Sequence, residues 1–470
     1  MLDFIKKNKK LFNKINFYLA LIFSFCMPLY KDFLPYIIWF WAISWILEGD
    51  FKNKFSNFNN KNILILLLVF YIFHAIGLLY SKNLDVGFFD LQVKFSIFLF
   101  PILLFGSNYL YKKNYNKIFF AFIFGNIAAS LICIGFAFYN SISFVDSKLV
   151  LDSSIGWSSY FVYANISIFH HPSYFAMYLT FATAILFYLF DYENKFSIIK
   201  YKIFYIATVI LFFVMIFLLS SRAGIISEFI VLLGSLFIYT IKYKKILNSS
   251  LSFISISLLF LFVINYNSRV KKLESKLLHT NHIAFFDSSK NANENIKFST
   301  KKNVSKDNVS VNKADIATPK KNKTEDEKNI RLRIWNVTYE LIKEHLFTGA
   351  GAGDIKDELI ARYEKENIKK AKKDHYNVHN QFLETFLGQG LIGLIMLVLI
   401  ILVPLYFSFI KKNYLLFFFI LIIIVNFIFE SMLNTISGVL FFAFFYSILV
   451  FIESDNNKTF SNGMKKINNC

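Results

Sequence analysis

The chain is built from about a dozen continuously apolar runs separated by short polar connections, and one long polar insertion interrupts them late, between residues 267 and 386. The runs lie at 12–30, 34–47, 63–80, 91–105, 118–139, 173–190, 203–219, 223–241, 251–266, 391–410, 415–429 and 433–452. A span needs about 20 apolar residues to cross hydrocarbon about 30 Å thick. Lipid offers no partner to a free N–H or C=O, so each run has to satisfy its backbone internally, as a helix does. A barrel would need alternation, and these runs do not alternate. The expected fold is therefore an all-α polytopic membrane protein of about twelve transmembrane helices.

Composition agrees: 56% of the 470 residues are hydrophobic and 19% aromatic, above the roughly 45–50% apolar content of an ordinary soluble chain. A formal charge of +20 raises the question of nucleic acid, but the lysines lie mainly in the short connections and the long loop, where they act as topology determinants. No nucleic-acid partner is expected; membrane lipids are. Cys26 and Cys133 lie in apolar runs and Cys470 is far from both, so no disulfide framework is implied. The first run follows Lys6, Lys7, Lys9 and Lys10 without a convincing small-residue cleavage site, and it reads as the first span.

Every second connection is basic. Lys52, Lys54 and Lys61, then Lys112, Lys113 and Lys117, then Lys195, Lys200 and Lys202 alternate with connections poorer in lysine. Lys242, Lys244 and Lys245, Lys411 and Lys412, and Lys465 and Lys466 continue the series. The positive-inside rule places both termini in the cytoplasm and puts the 140–170 connection, the 220–222 turn and the long loop on the outer face. Four parts follow: a transmembrane region of about nine helices at 1–266, a large outer loop at 267–390, closing helices at 391–453 and a cytoplasmic tail at 454–470. Within the loop, residues 288–328 are rich in Asn, Lys, Ser and Thr and read as a disordered insert. After it Ile334, Val337, Leu341 and Ile342 recur at helical spacing, predicting an amphipathic helix over 331–345, with a charged helix over 354–373 behind it. No internal repeat is present.

Four short motifs carry the chemistry. The first, Ser220-Ser221-Arg222-Ala223-Gly224, turns between two spans at the outer face. An arginine there either snorkels to the headgroups or holds an anion; guanidinium grips phosphate through two parallel bonds, which lysine cannot do. The second, Arg331-Leu332-Arg333-Ile334-Trp335, is expected to open the loop helix. Cations at a helix N-terminus oppose the macrodipole, and a bound anion would relieve that. The Gly349–Gly353 run reads as a tight turn ending the helix, since no strand precedes it as a nucleotide loop requires. The third, His375-Tyr376-Asn377-Val378-His379-Asn380-Gln381-Phe382-Leu383-Glu384, runs into the next span and sets Asn380 against Glu384 at helical spacing. Imidazole is suited to take a proton from a sugar hydroxyl, and His379 and His375 compete for that task. The fourth, Phe169-His170-His171-Pro172-Ser173, re-enters the membrane. Adjacent histidines diverge on a helix, so they suit structural or substrate-lining work better than a metal.

Taken in order, Ser221-Arg222-Ala223-Gly224, an Arg-x-x-x-Trp helix ending in Gly-x-Gly-x-Gly, and His-Asn-x-Phe-Leu-Glu before Gly390-Leu391-Ile392-Gly393 resemble the O-antigen ligase family. That family includes lipopolysaccharide O-antigen ligases, polysaccharide polymerases and bacterial protein O-oligosaccharyltransferases. The resemblance covers residues 169–393 and departs from the usual pattern in the 288–328 insert. It implies a glycosyltransferase C-type fold with one large periplasmic loop, in the bacterial inner membrane. It further implies transfer of a glycan from undecaprenyl diphosphate to an acceptor: lipid A–core first, a growing glycan or a protein otherwise. Arg222, Arg331 and His379 take the family's catalytic positions, with Arg333 a possible substitute for Arg331. Ser221, Asn380, His171, Trp335 and Arg333 are the expected substrate contacts.

The chemistry fits those residues. A diphosphate leaving group needs its charge stabilised more than it needs a proton, and a charge-assisted hydrogen bond contributes about 1.5–3 kcal/mol. No Asp-x-Asp pair accompanies the group, so neither metal nor other cofactor is invoked; Asp85 and Asp90 do not change this. A transporter is the rival class, but it should show a repeat and intramembrane polar sites.

Overall fold

The computed structural model describes residues 2–56, 61–105, 110–145, 148–151, 160–192, 199–244, 253–258 and 326–467. The insert at 288–328 lies outside the described residues except for its last three, and of the span expected at 251–266 only 253–258 fall inside them.

The chain is a multi-pass helical membrane protein. Its helices run α1 (Leu2–Cys26), α2 (Leu34–Glu48), α3 (Phe51–Ser56), α4 (Lys61–Gly77), α5 (Leu84–Phe105) and α6 (Leu110–Ser141). Then come α7 (Pro172–Tyr192), α8 (Ile199–Leu219) and α9 (Arg222–Tyr243). The loop contributes α10 (Asp326–Glu344), α11 (Ile355–Lys365) and α12 (Lys369–Lys373), and the chain closes with α13 (Gln381–Ile410), α14 (Tyr414–Phe429) and α15 (Ile436–Ile467). Among the described residues six helices are long and apolar enough to cross a membrane: Leu84–Leu104, Asn114–Ser141, Pro172–Asp191, Ile199–Leu219, Arg222–Tyr243 and Gln381–Ile410. Three shorter apolar helices accompany them, at Ile65–Tyr80, Tyr414–Phe429 and Ile436–Ile452.

One short non-helical element accompanies the helices. Ile142–Val145 and Lys148–Leu151 pair as an antiparallel hairpin, with Ile142 opposite Leu151 and Phe144 opposite Leu149. The alternation of Ile-Ser-Phe and Leu-Val-Leu is short, and it disappears beside the long apolar run that precedes it.

The centre of the bundle is α7. Its apolar window is 94% buried, against 28% for α8, because α6, α8, α9 and α14 surround it. Its small residues and threonines, Ala176, Thr180, Ala182 and Thr183, let neighbouring backbones approach closely. Aromatic rings fill the wider gaps: Phe122, Phe181, Phe441 and Phe445 meet with centroids 4.6–6.1 Å apart. Phe23, Trp41, Phe100 and Phe444 form a second group. Both groups draw on α15, which therefore ties the two halves of the bundle together.

The loop has its own core. Ile334, Val337, Leu341 and Ile342 are all buried, against Leu359, Tyr363, Ile368, Ala371, Val378 and Leu387. The helix expected at 331–345 starts earlier, at Asp326. The one expected at 354–373 is two, broken around Asn367, whose φ is +54°.

The loop is fastened to the bundle at a break in α13. Gly390 has φ 63° and ψ −165°, a conformation open to glycine alone, and a Cβ there would collide with the carbonyl oxygen of Phe347. The break frees backbone groups that need partners. The Gly-x-Gly-x-Gly turn supplies them: Ala350 N–H donates to Leu387 O (2.8 Å) and Gly351 N–H to Gly388 O (3.1 Å), while Leu391 N–H donates to Leu346 O (2.9 Å). Beyond the turn, Asp354 accepts the N–H groups of Lys82 and Asn83, both at 2.8 Å, and Tyr80 Oη donates to Thr348 O at 2.7 Å. The loop is thus bolted to α13 and to the α4–α5 connection.

Candidate functional site

His379 stands outside the helix that follows it. Asn380 caps α13: its side-chain oxygen accepts Leu383 N–H (3.0 Å) while its Nδ2 donates to Ile428 O (3.3 Å). Helical spacing predicts Asn380 against Glu384; in the structure Asn380 is the N-cap, the position asparagine favours for this bond. His379 itself has φ +51°, and its N–H donates to Asn377 Oδ1 at 3.0 Å. The imidazole is thereby presented at the mouth of the loop, partly accessible.

Its partner is a residue that motif reading passed over. Glu430, directly after α14, lies with Oε2 3.3 Å from His379 Nδ1, and its Oε1 accepts the Ser173 hydroxyl at 3.0 Å. Burial pushes the Glu430 carboxyl up, but the hydrogen bond and charge of His379, the charge of His171 and the Ser173 hydroxyl outweigh it and hold the group below the usual carboxylate range. The signal in the sequence is slight: one acid in a short connection between two apolar runs.

A second carboxylate holds the frame. Glu384 is buried; its Oε2 accepts Ser431 Oγ (3.0 Å) and Val378 N–H (3.3 Å), and its Oε1 accepts Asn434 Nδ2 (2.8 Å). Gln381 Oε1 accepts Leu433 N–H at 2.6 Å. The first turn of α13 and the 430–434 turn therefore move as one piece. Lys94, paired with Asp90 on α5, reaches Asn434 Oδ1 at 3.4 Å from the other side.

Trp335 fastens the loop helix to this piece, its Nε1 donating to Val378 O at 3.0 Å. Arg331, one helical turn before Trp335, is half-buried on that helix. Because α10 begins at Asp326, neither Arg331 nor Arg333 sits at its N-terminus, so the expected relief of a helix dipole by an anion is not built there. Arg333 is exposed and donates to Glu366 O at 3.1 Å, at the end of α11.

Arg222 opens α9 and is exposed at its first position, while Ser221 caps the helix by accepting Gly224 N–H at 3.2 Å. Gly224 lies against Ala176 of α7, one turn past Ser173. Tyr163 N–H donates to Leu218 O (2.9 Å), and Tyr163 Oη meets His171 Nε2 (3.4 Å), so the Arg222 turn and the His171–Ser173 corner adjoin. The two adjacent histidines do diverge. His170 is buried with Nδ1 3.0 Å from Ser437 Oγ, whereas His171 is exposed and acts on Glu430. Among the described residues no group of three His, Cys, Asp or Glu side chains could hold a metal ion.

An imidazole on a carboxylate, with arginines on the adjoining turn and on a tethered loop helix, sits at one end of a membrane bundle. Residues 206–398 match the O-antigen ligase family. This segment belongs to that family. No curated protein matches the chain.

The match over this segment points to glycosyl transfer of the O-antigen ligase and polymerase type. The O-antigen ligase segment contains Arg222, Arg331, Trp335 and His379 and ends inside α13. Glu430, Ser173 and His171 lie outside it, so the carboxylate facing His379 is brought in by the parts of the chain that flank the segment.

Proposed function

We propose that this protein moves a glycan from undecaprenyl diphosphate to lipid A–core at the periplasmic face of the bacterial inner membrane. The observation that carries the reading is the His379–Glu430 pair inside an O-antigen ligase framework. Glu430 accepts the proton on Nδ1 of His379 and so leaves Nε2 free to act as base. The acceptor hydroxyl gives its proton to Nε2 as its oxygen bonds to the anomeric carbon. The bond from that carbon to the diphosphate breaks on the opposite face, with inversion, and undecaprenyl diphosphate leaves with the electron pair. Arg222 and Arg331 stabilise the charge on the leaving group. Arg331 is assigned this contact over Arg333, because Arg333 is engaged at the end of α11. His171, Ser221, Asn380 and Trp335 line or shape the site. The chemistry needs no metal or other cofactor.

In this reading the chain has about twelve spans in a glycosyltransferase C-type arrangement. The transmembrane region is 1–266, the periplasmic loop 267–390, the closing helices 391–453 and the cytoplasmic tail 454–470. Alternating lysines support that orientation. The test is transfer by purified protein from a lipid-linked glycan to three acceptors: lipid A–core, a second lipid-linked glycan and a hydroxyl-bearing protein. Glycosylated lipid A–core is the expected product. A lengthened lipid-linked glycan would make the enzyme a polymerase, and a modified protein would make it an O-oligosaccharyltransferase. No transfer to any of the three would overturn the reading.

A further inference from the structure

The corner where α10 ends carries large apolar side chains that the loop's own core does not use. Leu341 and Ile342 are buried in that core, yet Leu346 and Phe347 just beyond them are 41% and 67% exposed. Leu79 and Tyr80, in the connection joined to this corner by the Tyr80–Thr348 bond, are 86% and 41% exposed. An apolar patch left open on a folded surface marks something that covers it.

Position identifies the cover. Leu346 O accepts Leu391 N–H, which seats the corner at the Gly390 break, where α13 begins its uninterrupted apolar run. On α13, Ile392 and Ile395 are half exposed, and the outward stripe continues down the helix at one residue per turn. That stripe belongs to a helix long and apolar enough to span a membrane, so it faces acyl chains. Leu346 and Phe347 are held at the start of that stripe by the Leu391–Leu346 backbone bond. Tyr80, with its hydroxyl on a backbone carbonyl and its ring outward, suits the boundary between headgroups and hydrocarbon.

We infer that the Leu346–Phe347 corner, with Leu79 and Tyr80, is embedded in the boundary layer of the bilayer and anchors the loop to lipid. The anchor sets the height of α10 above the membrane, and with it the height of Arg331 and Trp335. The inference depends on α13 crossing the membrane and not on glycan transfer.

The test uses full-length protein in which Cys26, Cys133 and Cys470 are replaced by serine. Single cysteines are placed at Phe347, at Ile395 as a lipid-facing reference, and at exposed Lys369 as an aqueous one. Each is labelled with an environment-sensitive fluorophore and reconstituted into vesicles of phosphatidylcholine and phosphatidylglycerol. Position 347 is expected to emit blue-shifted light and to be quenched by lipids brominated near the ester end of the chain. Position 395 should be quenched more by lipids brominated deeper, and position 369 by neither. Leu79→Cys provides a second reporter should Phe347→Cys fold poorly. If 347 and 79 both behave like 369, the corner is in water and the inference fails. If they are shielded but insensitive to bromine, protein covers the corner, and it fails equally.

Discussion

Trp335 donates its indole N–H to the carbonyl oxygen of Val378 at 3.0 Å, so the loop helix is tied to the residue immediately before His379. The bond turns a motif spacing into a distance: what moves α10 moves the imidazole. Trp335→Phe keeps the ring and removes the donor. The lost bond should cost about 1 kcal/mol of stability. Loosened geometry should lower kcat more than it weakens donor binding, by up to about a hundredfold. Steady-state transfer alongside donor binding by the same preparation separates the two effects, and an unchanged kcat would show that the tether is not needed.

His379→Ala should abolish transfer while the lipid-linked donor still binds, since losing a general base costs about 10²–10⁴ in rate. His375 is exposed and lies outside the His-Asn-x-Phe-Leu-Glu motif, so His375→Ala should be much milder. Equal losses in both variants would move the base elsewhere.

Glu430 links the site to pH. Its carboxyl is held below the usual range, so its contribution to stability is present above the unfolded value of about 4.3 and is lost as pH falls through the lower folded value. Thermal unfolding in detergent should show wild type more stable than Glu430→Gln at neutral pH, with the difference vanishing in acid. His379 supplies the strongest influences lowering this group, so in His379→Ala the acid-side loss should begin at higher pH. An unmoved acid limb would mean that the pair does not form.

Gly390→Ala forces a side chain into glycine-only backbone and against Phe347 O. Expected costs are about 1–3 kcal/mol from the backbone and about 1–3 kcal/mol from overpacking, seen as a lower melting temperature and a loop more readily cut by protease. Gly135→Ala, whose added methyl meets open space, should be close to neutral.

Arg222→Lys keeps the charge and loses the two-pronged grip, so transfer should fall strongly with normal membrane insertion. Activity near wild type would favour an arginine that only snorkels.

The sequence by itself determined the class of fold and named the candidate residues of the site. Hydrophobic runs must become helices wherever no water can satisfy a backbone, so the apolar segments read directly as the bundle. The period of Ile334, Val337, Leu341 and Ile342 gave the buried face of the loop helix for the same local reason. Ordered motifs pointed to Arg222, Arg331 and His379. Tertiary structure decided what those residues face. Glu430 lies 51 positions from His379 in the chain and shares no local pattern with it; only the packing of α14 beside the start of α13 brings them together. Arg333 differs from Arg331 because a second helix ends beneath it, and the glycine run acquires its role from a break in α13 that it repairs. Periodicity and motif order are properties of neighbours along the chain. Pairing across the bundle depends on which backbone groups and charges were left unsatisfied elsewhere, and that is settled only when the helices meet.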